Sequence, residues 1–267
     1  MTKKSFVLSL LVGVSLCFST LVSAHSLWLN VTNYSPEIYP KFGANTKIYF
    51  GWGHHYPVDD FLSQEILDDF SLIGPSGNKV KLNPNPGGFL ATSISLKTPG
   101  TYLACAILRP GFYTIYEEKG KVHHKPGPKI GLEGVIMSLH YEIFAKALIN
   151  VGKKSGDSFK RPVGHSLEIV PLKDPSELKV GDFLPIQVLF KGKPARYCKV
   201  YATYNGFSSK CDYAYTTIAD RKGEARIRII HHGPWLIKTD MKLPATEDLK
   251  EKCDELSYSA TLTLEVP

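Results

Sequence analysis

Short runs of β-forming residues, cut apart by glycine and proline about every eight to twelve residues, leave this chain little choice but packed antiparallel sheets. Residues 46–52 (TKIYFGW) alternate and are rich in β-formers. Residues 68–73 (DDFSLI) lead into the turn GPSGN at 74–78, and residues 89–96 and 101–108 flank Thr98-Pro99-Gly100. Towards the C-terminus, strands are expected at 165–171, 183–190, 197–204, 213–219, 225–231, 235–240 and 257–266. Seven strands over that length is the count of an immunoglobulin-like sandwich. The spacing of Cys198 and Cys211 does not match the antibody disulfide, so the expectation is of architecture alone.

The middle of the chain reads differently. Residues 110–131 carry Gly, Pro, Lys and His without periodicity and predict a loop. Residues 132–149 (LEGVIMSLHYEIFAKALI) predict a helix, because Leu139, Ile143, Ala147 and Leu148 recur at helical spacing and no proline interrupts them. Gly152 follows as a C-terminal signal. Residues 153–163 (KKSGDSFKRPV) are polar and turn-rich, as at a domain junction. The expected fold class is mainly β: two immunoglobulin-like β-sandwich domains with one helical and loop segment between them. Their expected bounds are 25–109 for the N-terminal sandwich, 110–162 for the connector and 163–267 for the C-terminal sandwich.

Residues 1–24 carry the pattern of an export signal peptide. Lys3 and Lys4 are followed by the apolar run 5–22, and Val22-Ser23-Ala24 offers the small residues of a cleavage site. Cleavage after Ala24 makes His25 the first residue of an exported, periplasmic protein. A retained anchor fits less well, since the run is short and Ser-rich, and Leu16 before Cys17 disfavours a lipoprotein. No other stretch is long and apolar enough to be expected to cross a bilayer as a helix.

Loss of Lys3 and Lys4 with the leader takes the formal charge from +7 to +5. The basic residues are scattered, so no nucleic-acid partner is expected. Cys105, Cys198, Cys211 and Cys253 remain, in a compartment where disulfides persist. Three pairings are open to four cysteines; Cys211 with Cys253 is favoured because both precede strand-like runs, while Cys105 reads as a buried thiol.

Nine histidines are more than ordinary usage and tilt the balance towards metal. His25, once terminal, presents an α-amine and an imidazole on one residue, a two-nitrogen chelate for nickel, cobalt, copper or zinc. His54 and His55 sit in the turn-like run GWGHHYPVDD at 51–60. Adjacent side chains of an extended segment point opposite ways, so one of the pair is expected to face any site unless the turn relaxes that limit. Asp59 and Asp60 are close enough to donate oxygen or to orient an imidazole. An exposed polar turn is the competing reading. His123-His124 reads as solvated loop, His231-His232 as a structural turn, His140 as a packed or surface residue, and His165 carries little weight. The chain holds no G-x-S-x-G elbow, H-E-x-x-H pair or phosphate-binding glycine loop, so no hydrolytic activity is expected.

The runs AHSLWL, GWGHHYPVDDFL, YEIFAKALINVG, RPVGHSLEIVPLKDPSELKVGDFLPIQVLFKGKPA and GPWLIK…SYSATLTLEV occur in this order. Together they resemble a domain-of-unknown-function family of periplasmic components of cobalt/nickel transport systems. The resemblance implies a two-domain β-rich protein that binds nickel(II) or cobalt(II) and serves a membrane metal-transport component. It carries over His25 and His54 as metal residues and His55 less closely.

The leading expectation is therefore a periplasmic metal-binding protein, not an enzyme, holding its ion through His25 and His54 with His55 or Asp60 completing or orienting the site. Two other classes stay open. One is an oxidative enzyme with a copper histidine brace, for which Trp28, Trp52 and Tyr56 offer rings. The other is a metal-free structural or adhesive sandwich.

Overall fold

A computed structural model describes residues 25–152 and 156–267, so the leader 1–24 and part of the junction at 153–163 lie outside the described residues. Among the described residues the strands form three sheets. A three-stranded sheet is ordered Ser26–Val31, Ala44–Gly53, Thr92–Leu96. A four-stranded sheet is built around Phe183–Phe190, which pairs with Leu167–Pro171, Lys193–Pro194 and Glu224–Arg228. Between these runs a ten-stranded sheet whose centre is Gly100–Leu108, Val135–Val151, Glu255–Val266 and Gly233–Pro244. The chain is mainly β, as the turn rhythm predicts.

The expected helix at 132–149 is instead the longest of the described strands, Val135–Val151. The reason is burial on both faces. Ile143, Ala145, Ala147 and Ile149 point into one core with Leu27, Leu29, Ile48 and Phe50. Phe144 and Leu148 point into the other with Leu167, Ile169, Val188 and Trp235. A central strand covered on both sides reads as a near-continuous apolar run, and short windows of such a run also satisfy helical spacing. The strand pairs antiparallel with Gly100–Leu108 on one side and parallel with Glu255–Val266 on the other. Strands from all three expected segments therefore share one sheet.

The expected loop at 110–131 is also corrected. It holds the hairpin Gly111–Glu118 and Lys121–Pro126, docked on the long strand. Its two-residue turn is Lys119-Gly120, with φ of 52° and 73°. Positive φ at both central residues is the turn that matches strand twist, and glycine supplies one of the two at no steric cost.

The Cys211–Cys253 disulfide is not formed. Both thiols are free, with Cys211 exposed and Cys253 packed inside the second core. Cys105 is buried, as expected, and burial pushes its thiol up to about 12.

Candidate metal centre

Strand register alone brings two of the expected ligands together. Ser26 pairs with Gly53 across the first two strands, so His25, one residue before, stands opposite His54, one residue after. Their ring centroids are 4.5 Å apart at 41°. The His25 ring also stacks on Trp52 at 5.2 Å and 14°. Thr261 and Thr263 of the large sheet donate to the Leu27 and Leu29 carbonyls, which fixes the first strand on the core beneath.

The loop after Gly53 is held from inside. Pro57 follows a cis peptide bond, and its carbonyl accepts from Trp28 Nε1 at 2.8 Å and Asn30 Nδ2 at 2.9 Å. Asp59 turns back on the loop: its Oδ2 accepts from His54 N at 2.6 Å and His55 N at 3.2 Å. Its Oδ1 lies 3.1 Å from His55 Nδ1. Asp60 N then bonds the Trp52 carbonyl at 2.9 Å and closes the loop.

Two glycines make this packing possible. Gly53 has φ of 129°, and a Cβ there would lie 2.2 Å from Asp59 Oδ2. Gly51 faces Trp28 across the strands, and a Cβ there would lie 2.0 Å from the indole nitrogen. Gly51→Ala must push aside a fully buried tryptophan that anchors the loop. The expected cost is about 1–3 kcal/mol, the range for overpacking a filled core. A denaturant titration checks it, and an unchanged midpoint would show that Trp28 has room to move.

The structure separates the four sequence-derived candidates. His25 and His54 meet. His55 turns the other way, with Nδ1 on Asp59 and Nε2 at 3.5 Å from Cys211 Sγ. Asp60 is exposed, and its Oδ1 accepts from Phe61 N at 2.7 Å. Asp59, not Asp60, is thus the carboxylate that organises the loop. The other histidines are engaged elsewhere. His123 and His124 pair with Tyr116 and Tyr113 on the hairpin, His140 with Phe112, and His231 with Tyr204.

A narrow cleft opens beside His54, lined by Ser26, Trp28, Tyr56, Cys211 and Lys238 among others. Cys211 and Lys238 carry no local signal in the sequence, because the fold brings them from 150 residues or more away. The His54 imidazole is held below its ordinary value, first by burial and then by the neighbouring His25 and Lys238, with Asp59 opposing. Burial alone would raise the Asp59 carboxyl, but the bonds from His54 N and from His55 outweigh it and hold it low. The site therefore offers a neutral His54 nitrogen at neutral pH, the form that ligates metals. Among the described residues no three His, Cys, Asp or Glu side chains are grouped to hold a metal ion.

A family described as a domain of unknown function, DUF4198, matches residues 22–243. Among solved structures, the D00-D0 domain of intimin is 12% identical with a TM-score of 0.20, over 88% of this chain and 98% of that one. The N-terminal four Ig domains of Dscam1 isoform 6.44 are 11% identical with a TM-score of 0.20, over 90% of this chain and 52% of that one. Likenesses of that size carry no weight for function. No curated protein matches. Among the described residues no helix is long and apolar enough to cross a membrane.

Proposed function

From the premise that this chain belongs to the DUF4198 family, we propose that it is a periplasmic binding protein that captures nickel(II) or cobalt(II) for an uptake system in the membrane. The observation that carries the reading is the pairing of His25 with His54, at 4.5 Å between rings, imposed by strand register. Two imidazoles make a weak site for a divalent ion. The third nitrogen is the α-amine of His25, released by cleavage after Ala24. That amine has an ordinary pKa of about 7.7–8, so a bound metal displaces its proton at little cost near neutral pH.

Nitrogen donors of this kind suit nickel(II) and cobalt(II), and also copper(II). Few donors and an exposed His25 suit a carrier, which must give up its cargo. His55 and Asp60 serve the loop in this reading, through Asp59 and Phe61, rather than the ion.

Calorimetric titration of nickel(II) and cobalt(II) into protein beginning at His25, and into protein with one extra residue before it, tests the proposal. The extension removes the chelating amine and leaves both imidazoles in place. Changes outside the ligand shell already cost tenfold to 100-fold in metal affinity, so losing a ligand is expected to cost about 100-fold or more. Equal affinities would remove the free terminus, and with it this function.

A further inference from the structure

We propose that His55 and Cys211 form a second, separate site that takes a thiophilic monovalent ion of the copper(I) or silver(I) class. The two residues lie 156 positions apart, and the fold sets Cys211 Sγ at 3.5 Å from His55 Nε2. Bonds of about 2.0–2.1 Å to imidazole nitrogen and about 2.3 Å to thiolate sulfur span about 4.4 Å in line, so the exposed Cys211 side chain and the partly exposed His55 ring need to part by only about 1 Å to hold a two-coordinate ion between them.

The imidazole is built for the task. Its Nδ1 is 3.1 Å from Asp59 Oδ1, and Asp59 is itself pinned by the backbone amides of His54 and His55. With Nδ1–H donating to the Asp59 carboxylate, Nε2 turns its lone pair to the sulfur, whose proton is released to solvent as the ion binds. A carboxylate behind the histidine, fixing its tautomer and orientation, is the arrangement that accompanies histidine ligation to metals.

Donor number and type choose the ion. One sulfur and one nitrogen fall short of the four donors of a structural zinc site and offer no oxygens for magnesium or calcium. Closed-shell monovalent ions accept two donors, and thiolate selects for them. Cys211 is exposed, whereas Cys105, Cys198 and Cys253 are buried, so no described cysteine stands ready to consume it as a disulfide. The neighbouring Ser208 and Asp212 are bonded to each other and shape the turn that presents the thiol. Cys211 also lines the cleft beside His54, which sets the two sites side by side.

The site stands independently of the His25 reading, and silver(I) is a probe that needs no reductant. Native protein is treated with iodoacetamide at rising silver(I), and alkylation of the Cys211 peptide is followed by mass spectrometry. One equivalent of silver(I) is expected to block alkylation of Cys211, and nickel(II) is not. His55→Ala is expected to raise the silver(I) needed for half protection by at least tenfold. Protein extended before His25 is expected to protect like the unextended form. His55 is partly exposed, so its replacement should leave the fold intact; unchanged circular dichroism confirms this. Full protection in His55→Ala would mean that the thiol binds alone and would overturn the site. So would unaffected alkylation in the wild type, or equal protection by nickel(II).

Discussion

Lys146→Met is expected to cost about 3–5 kcal/mol of unfolding free energy, the range for removing one partner of a buried ion pair. Lys146 sits in the centre of Val135–Val151, opposite Cys105, with its side chain 2% exposed. Its Nζ is 2.6 Å from Glu168 Oε1, and Glu168 is buried to the same degree. Glu168 also accepts from Val163 N at 2.8 Å and Gly164 N at 3.2 Å. The pair thus ties the long central strand to the first strand of the four-stranded sheet and to the segment leading into it. Methionine fills the volume of the lysine stem but leaves a carboxylate in the core with two amides and no cation. The double variant Lys146→Met, Glu168→Met removes the orphan charge and should recover part of the loss. It should not recover all, because the Val163 and Gly164 amides then lose their acceptor. Urea unfolding of the three proteins checks this. A single-variant loss under about 1 kcal/mol would mean that water reaches Glu168 once the lysine is gone.

The same lysine shows where sequence reading succeeds and where it stops. Strands with one solvated face, such as Ala44–Gly53, alternate visibly and were legible from their residues. The long strand was not, because two cores claim its opposite faces and a buried charge sits in its middle. Only its non-local partners separate it from a helix. The hairpin turn Lys119-Gly120 was legible in principle, since glycine after a polar residue between β-formers is a turn signal. Aromatic and histidine residues scattered on both faces hid its period.

At the candidate site, His25 and His54 were legible as residues of the right type. Their meeting depends on register, which a single sequence does not print. His55 with Cys211, and the role of Asp59 over Asp60, follow from loop geometry: Gly53 at positive φ lets the Asp59 carboxylate fold back under the backbone. His54 and His55 lie in the bend after the strand, where strict alternation does not apply, and they serve different neighbours.

Acid should destabilise the protein through His165 well before ordinary carboxylates protonate. His165 is 7% exposed and stacks on Phe144, with ring centroids 5.0 Å apart. Burial, then the charges of Lys146 and Lys79, hold its imidazole down to about 3, with Asp69 opposing. The sign follows from the two states. An unfolded histidine takes up a proton near pH 6.5, whereas the folded one stays neutral until about pH 3. Between those values the unfolded state binds more protons, so stability falls as pH falls. At one pKa unit per 1.36 kcal/mol, the loss on going from pH 7 to pH 4.5 is about 2–3 kcal/mol. His165→Phe keeps a ring against Phe144 and removes the titration. Its stability, measured by urea unfolding across that range, should drop less than the wild type by about that amount. Parallel curves would show that His165 gains its proton without unfolding. In Lys146→Met the cation that lowers the His165 imidazole most is gone, so that imidazole, followed by NMR, should titrate at higher pH than in the wild type. That shift would tie the ion pair and the acid response to one buried neighbourhood on the central strand.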